Sequence, residues 1–277
     1  MTRSIRKKAH GKFIHTAHNK ANSLGRQRAA LVPRSAFIHR RSSALYTKGD
    51  IMELSEVVPW GRAFSEYREM FSLTNDDLGK KILGCGDGPA SFNAELSSSG
   101  GNVTSIDPIY RFSPGQIRSR IEEVYPQVME QVSKNYTDYV WNAIRSVEDL
   151  GKVRMEAISI FLRDYKNNQK SGRYINASLP VLPFEGGEFD LALCSHYLFL
   201  YSEHVNLELH IQSMKELCRV AKEVRVYPLL SIKSNKESPH LKPVMTELER
   251  NGISTSLVSV PYEFQKGAIK MLVAKSV

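Results

Sequence analysis

The sequence predicts an α/β fold: three layers built on a seven-stranded sheet, mostly parallel with an antiparallel C-terminal strand, plus a helical insertion. Three observations carry this. From Lys80 a strand, a turn, a helix and a second strand follow one another within about 30 residues, the spacing of a βαβ unit. Short apolar runs then alternate with helical patterns to the end of the chain. The last two apolar runs are joined by "PYEFQKGA", a connection short enough for an antiparallel hairpin at the sheet edge.

Taken in order, "GRAFSEYREMF" places Phe64, Tyr67 and Phe71 on one face of a helix. "KKIL" is a short strand. "PASFNAELSSSG" is a helix stopped by Gly100 and Gly101, and "NVTSID" alternates into a second strand ending at Asp107-Pro108. The charged and aromatic stretch 113–170 reads as an insertion of three helices, over 114–132, 136–149 and 153–168. Strands resume at "GRYIN", "FDLALCS", "EVRVYPLL", "STSLVSV" and "IKMLVAKS". Between them lie helices from Glu203 to Val220 and from Ser238 to Asn251, the second with Ser238 as N-cap and Pro239 at its first position.

The net charge of +9 is not spread along the 277 residues. Residues 1–51 hold 12 Lys and Arg and one acid, Asp50, which leaves 26 basic and 28 acidic residues in 52–277. The folded part is therefore close to neutral, and the excess belongs to a leader expected to be disordered. Three readings of the leader stay open. It could be sequence upstream of a natural start at Met52, a transit peptide rich in Arg, Ser and Ala, or a basic arm for nucleic acid. "LVPRS" at Leu31–Ser35 resembles a protease-site linker, and His10, His15 and His18 read as a solvated tail.

No apolar run approaches the roughly 20 residues that span a bilayer, and no secretory signal opens the chain. The expected location is the cytoplasm, or an organelle matrix if the leader is a transit peptide. Cys85, Cys194 and Cys218 lie far apart without metal-ligand spacing, so neither a metal site nor a disulfide framework is expected. They read as small buried apolar residues.

Gly84, Gly86 and Gly88 sit where the first strand turns into its helix, the turn nearest the ligand in an open parallel sheet. A P-loop would close on Gly-Lys-Ser/Thr, and this turn does not. A dinucleotide fingerprint would place its third glycine at Pro89, which has no N–H for a phosphate. Asp87 would repel a phosphate as well. The GxGxG spacing suits a phosphate-free ligand, and Asp87 suits a cation.

"ILGCGDG", "VTSIDP", "LPFEGGEFDLALCS" and the terminal strand pair resemble the class I S-adenosylmethionine-dependent methyltransferases, which are Rossmann-like, over about Trp60 to Val277. More narrowly, "VVPWGRAFSEY", "IDPIYRFS" and "QIRSRI" resemble a bacterial group of that superfamily known only as methyltransferases. The resemblance implies S-adenosyl-L-methionine as cofactor and transfer of a methyl group to an acceptor, most simply a small molecule. It implies that Gly84, Cys85 and Gly86 approach the cofactor through backbone, with Asp87 and Gly88 completing the loop. Asp107 would accept both ribose hydroxyls, which suits a carboxylate's paired acceptors. Pro108 and Ile109 would lie near adenine, as would Ser178 and Leu179 in "NASLPVLPF". Ser195, His196 and Tyr197 would face the methyl group, His196 and Tyr197 as catalytic candidates. Arg62 could pair with the cofactor's carboxylate.

Two positions depart from the family pattern. Ile82 stands where relatives carry an acid two residues before the first glycine, so Asp87 or a loop carbonyl must take that part. Ser178 replaces an acid that would accept the adenine amino group, leaving Asn176, Ser178 or a carbonyl to do so. Trp60 and Tyr67 could cover the cofactor, and Arg111, Phe112, Arg118, Arg120 and Tyr125 could line a lid. His204 is expected to start or cap the following helix. A cofactor-binding protein without transfer activity, and a nucleic-acid module using the leader, are the alternative functions. Oligomeric state is left open.

Overall fold

The structure is a computed structural model, and it describes residues 58–276. The basic leader 1–51 with His10, His15 and His18, the Leu31–Ser35 segment and Met52 lie outside the described residues, as does any nucleic-acid role assigned to them.

A short helix α1 (Phe64–Met70) and a single turn α2 (Asn75–Leu78) precede the first strand, β1 (Lys81–Cys85). Thr74 opens α2 with a capping box completed by Asp77. α3 (Phe92–Ser98) leads to β2 (Asn102–Ile106), and a short 3-10 turn at Pro108–Arg111 follows. Then come α4 (Pro114–Lys134), α5 (Val147–Asn168), β3 (Tyr174–Ile175), β4 (Phe189–Ser195), α6 (Leu207–Val220), β5 (Ala221–Tyr227), α7 (Leu241–Arg250), β6 (Ile253–Ser259) and β7 (Lys270–Ser276). The seven strands form one sheet in the order β3-β2-β1-β4-β5-β7-β6, with β7 antiparallel to both neighbours and the rest parallel.

Alternation along the central strands builds a core on each face. Leu83 and Cys85 of β1 join Ala192, Cys194, Val224 and Val226 beneath α6 and α7. Ile82 joins Leu191, Leu193 and Val273 beneath Tyr67, Phe71 and Phe92. All three cysteines are buried and unpaired.

Three elements differ from expectation. The insertion contains two long helices, because 153–168 continues back without a break to Val147, while 136–146 is a 3-10 turn at Tyr136–Asp138 and an extended loop. Gly151 lies within α5 at a close contact: a Cβ there would come 2.3 Å from Tyr125 Oη of α4. The loop is held by the β6–β7 connection, Val140 N–H donating to Phe264 O at 2.8 Å and Lys266 N–H to Asp138 O at 2.8 Å. α6 is capped by Asn206, whose side chain accepts from Leu209 N–H at 2.9 Å, and His204 is exposed in the preceding turn. α7 begins at Leu241, after a turn in which Ser238 Oγ accepts from His240 N–H at 3.2 Å. Among the described residues no helix is long and apolar enough to cross a membrane.

Candidate functional site

β1 is flanked by β2 on one side and β4 on the other, so the chain leaves its carboxyl end at the point where strand order reverses. In open α/β sheets such a crevice is where ligands bind. Gly86 (φ 69°) and Gly88 (φ 54°) make the turn there, in a region closed to most side chains. Gly86 is also crowded: a Cβ would lie 3.1 Å from Tyr197 Cβ. Gly84 is part of β1 and not of the turn. Its lack of a side chain is required by Asp87, whose Oδ2 would stand 1.8 Å from an added Cβ.

Asp87 does not face outward toward a cation. Its carboxylate folds back over Gly84 and is 6% exposed, accepting from Tyr67 Oη at 2.8 Å and Ser105 Oγ at 2.5 Å. Burial pushes its pKa up to about 7 against the pull of those hydroxyls, with Asp107 adding to the rise. Ile82, which has no acid to offer, is on the same face with Tyr67. Asp87 therefore brings a carboxylate to the side of β1 where Ile82 lacks one.

Asp107 follows β2 and is half-buried. Its Oδ2 accepts from Gly88 N–H at 3.0 Å and its Oδ1 from Ile109 N–H at 2.9 Å, so the glycine turn and the start of the 3-10 turn hold the carboxylate between them. Each oxygen keeps acceptor capacity beyond these bonds. Burial raises this carboxyl to about 6, opposed by the two N–H donors. Tyr110, two residues beyond the exposed Pro108, donates its hydroxyl to Gly88 O at 2.8 Å and locks the turn from the other side. Cys85 points its thiol into the core beside Cys194, leaving only its backbone at the loop. Leu179 is a core side chain of the same cluster, whereas Ser178 is exposed. β3 places its end beside Asp107, whose N–H donates to Ile175 O at 3.3 Å.

Ser195 ends β4 buried, with Oγ 3.0 Å from His196 Nδ1. His196 takes φ 50°, its N–H donating to Tyr227 O at 2.8 Å, which turns the imidazole away from the strand direction and against the Tyr227 ring. Burial first, then the guanidinium groups of Arg62 and Arg154, lowers its pKa well below the ordinary value of 6.5. Tyr197 is half-buried over Gly86, and burial pushes its phenol up to about 12.

A cavity of about 90 Å³ opens beyond the ends of β4 and β5, lined by His196, Arg62, Tyr227 and Tyr262 among others. Val128 and Val132 of α4, Leu150 and Arg154 of α5, and Asp138 and Tyr139 of the loop between them form its insertion side. The residues expected to line a lid lie elsewhere: Arg111 stacks on Phe112, Arg118 is exposed, Arg120 pairs with Glu123, and Tyr125 packs on Gly151 and Trp60.

Under the cavity lies a buried charge cluster. Glu66 accepts from Ala63 N–H at 2.8 Å, from both terminal nitrogens of Arg154, and from Tyr262 Oη at 2.6 Å. Burial alone would raise the Glu66 carboxyl, but Arg154 outweighs it and holds the pKa at about 2. Among the described residues Arg62 reaches only the carbonyl of Trp60, through Nη1 at 3.0 Å, and its buried Nε meets no acceptor.

The structure thus brings the sequence candidates together in two groups. Gly84, Gly86, Asp87, Gly88 and Asp107 form one network at the ends of β1 and β2. Arg62 and His196 share the adjoining cavity. Glu66, Arg154, Tyr139, Tyr262 and Phe264 escaped sequence reasoning, since they meet across separations as large as 196 residues with no local pattern to mark them.

No protein-family model matches the chain. An uncharacterized protein of Methanocaldococcus jannaschii is 33% identical over 227 residues, spanning 81% of this chain and 98% of the archaeal one. Among solved structures, a SAM-dependent methyltransferase of Thermotoga maritima, a possible histamine N-methyltransferase, is 11% identical with a TM-score of 0.38, covering 77% of this chain and 88% of that one. Magnesium protoporphyrin IX methyltransferase of Synechocystis with bound SAM is 13% identical with a TM-score of 0.38, covering 77% and 91%. Likenesses of this size carry no argument about activity.

Proposed function

The chain belongs to the family of the Methanocaldococcus jannaschii protein, and we propose that it is an S-adenosyl-L-methionine-dependent methyltransferase acting on a small molecule. The observation that carries this reading is Asp107. Its two oxygens are each fixed by one backbone N–H, at the end of β2 and against a glycine turn at the switch point of the sheet. A half-exposed carboxylate so held offers its remaining lone pairs to a pair of adjacent hydroxyls, the ribose diol of the cofactor.

The residues present fit the cofactor. Gly86 and Gly88 leave open backbone where a Cβ would crowd Tyr197 or strain the turn. Asp87 is turned inward, so its carboxylate shapes the loop and does not contact the ligand. Ser178, Leu179, Pro108 and Ile109 remain the proposed adenine side, with Asn176 or a carbonyl in place of the missing acid. When bound, the cofactor supplies a methyl group on a sulfonium, which moves to an acceptor as the new bond forms and the C–S pair stays on sulfur.

The chain's part is alignment and proton handling. His196 engages Ser195 through Nδ1, so Nε2 is the nitrogen free to accept the proton that an acceptor hydroxyl or amine gives up. A depressed pKa keeps the imidazole neutral and ready at physiological pH. Tyr197, with its phenol protonated, can donate a hydrogen bond beside the loop. Calorimetry of the full chain with S-adenosylmethionine and S-adenosylhomocysteine tests the reading. Saturable one-to-one binding is expected, and absence of binding to either would sink it.

A further inference from the structure

Three features of the cavity beyond β4 and β5 concern charge, shape and size. Its wall includes a cation that the protein leaves largely uncompensated. Arg62 and Arg154 sit together, and burial first and then Arg154 lower the pKa of Arg62, with the Glu66 charge opposing them in part. Glu66, the carboxylate beside them, is saturated by Arg154, Tyr262 and Ala63 N–H. Arg62 is left with one carbonyl acceptor and an orphaned Nε. Glu66 acts on the half-buried Arg62 guanidinium through space, but among the described residues Arg62 forms no ion pair of its own, which leaves room for an anion from outside.

Much of the remaining wall is aromatic or aliphatic, with Asn235 and Gln265 as neutral polar exceptions. Trp60, Tyr139, Tyr227, Tyr262 and Phe264 contribute rings, and Tyr139 stacks on Phe264 with centroids 4.9 Å apart. Such walls favour a planar ring over an extended chain. A volume of about 90 Å³ is below the about 150 Å³ of an apolar cavity that holds benzene, so the ligand is at most a single ring and part of it stands in the mouth of the cavity. With Arg154 committed to Glu66, one guanidinium remains, which matches a carboxylate better than a phosphate dianion. Asp138, half-buried on the insertion side, adds one acid to the lining.

We infer that this cavity binds a small aromatic carboxylic acid, its carboxylate on Arg62 and its ring among Trp60, Tyr139, Tyr262 and Phe264, and that such acids are the class of methyl acceptor. The assignment rests on the methyltransferase reading for the word acceptor, and on the cavity alone for the ligand. It gives Arg62 to the acceptor and not to the cofactor's carboxylate, because none of Gly84 to Gly88 nor Asp107 lines the cavity in which Arg62 lies.

The test is equilibrium binding of salicylate and anthranilate, each against its uncharged amide, to the full chain with and without saturating S-adenosylhomocysteine. Wild type and Arg62→Met are compared, the latter keeping apolar bulk, with circular dichroism as the check on folding. The acids should bind at least about tenfold more tightly than the amides, and Arg62→Met should weaken the acids about 10- to 100-fold while leaving the amides and S-adenosylhomocysteine unchanged. Amides that bind as well as acids, or no acid binding at all, would overturn the inference. So would a variant that loses S-adenosylhomocysteine but keeps the acids, an outcome that leaves the methyltransferase reading standing. Acid binding through Arg62 in a wild type that ignores S-adenosylhomocysteine would uphold the ligand class and remove the methyltransferase reading.

Discussion

A Cβ on Gly84 would lie 1.8 Å from Oδ2 of Asp87, so the glycine inside β1 exists to admit a carboxylate from the loop that follows it. Gly84→Ala must expel Asp87 from Tyr67 and Ser105 or bend the strand. The expected loss is about 3 kcal/mol, from overpacking plus two broken buried hydrogen bonds. With Asp87→Ala in the background the same substitution should cost clearly less, a coupling of about 1–2 kcal/mol in a double-mutant cycle read by urea unfolding. Additive effects would show that the two residues do not share that space.

The same carboxylate makes stability depend on pH. Burial holds the Asp87 carboxyl at about 7 in the fold, against an ordinary aspartate value of about 4 in the unfolded chain. Between the two values the folded chain keeps a proton that the unfolded chain has released. The group's contribution is therefore full below about pH 4 and lost as pH rises through about 7. His196 and His210 act in the opposite sense, since burial lowers both, so the wild-type profile mixes the effects. The difference between wild type and Asp87→Asn isolates one of them. The variant should gain on wild type as pH rises from about 5 to about 8, measured by urea unfolding at a series of pH values; a constant difference would mean that Asp87 is ionised throughout.

What could be read from sequence was whatever is local. The turn at Gly86 and Gly88, the acid at Asp107 and the antiparallel end of the sheet each lie within a short window, where strand period and turn chemistry speak directly. The orientation of Asp87 did not show, because an acid in a glycine loop looks the same whether it faces a ligand or folds back on the strand. Ile82 hinted at it: with no acid on that face of β1, another group had to supply one. The break expected between 149 and 153 did not form, since a glycine that ends a helix and one that, like Gly151, admits a tyrosine from a neighbouring helix are indistinguishable in one dimension. The link between Glu66, Arg154 and Tyr262 spans three distant segments and had no signal at all.

Asp107 separates a folding role from a binding one. Asp107→Ala strands the N–H groups of Gly88 and Ile109, a cost of about 1–3 kcal/mol in stability if water cannot replace the carboxylate. Asp107→Asn keeps one acceptor oxygen and should unfold closer to wild type, yet it cannot accept from two hydroxyls and the two N–H groups as a carboxylate can. Both variants should bind S-adenosylhomocysteine about tenfold or more weakly by calorimetry. Unchanged affinity in Asp107→Asn would take the ribose contact away from this residue.

The Glu66–Arg154 pair fixes α1 against the insertion and so shapes the cavity floor. Removing one partner leaves a buried charge, so Glu66→Gln or Arg154→Met should each cost about 3–5 kcal/mol, whereas Glu66→Leu with Arg154→Met together should cost far less. Because Arg154 holds Glu66 at about 2, below its unfolded value near 4.5, this contribution is present above about pH 4.5 and is lost as pH falls toward 2. Acid unfolding midpoints of the single and double variants give the comparison.

His196 supplies the last prediction, on chemistry. Its imidazole is neutral well below the ordinary value of 6.5, through burial first and then Arg62 and Arg154. A base in that state is already competent at pH 6, so the transfer rate on a bound aromatic acid should hold level from about pH 6 to 8 and fall only in more acid solution. His196→Gln preserves a polar side chain and should lower kcat by about 10²–10⁴ with little change in S-adenosylhomocysteine affinity. Removing the cation beside it has a distinct signature. Arg62→Met takes away one of the two guanidinium groups that depress the imidazole, so any acid limb in the pH profile should move upward in that variant. A limb that stays in place would assign the titration to another group, and an unchanged kcat in His196→Gln would leave the proton to solvent.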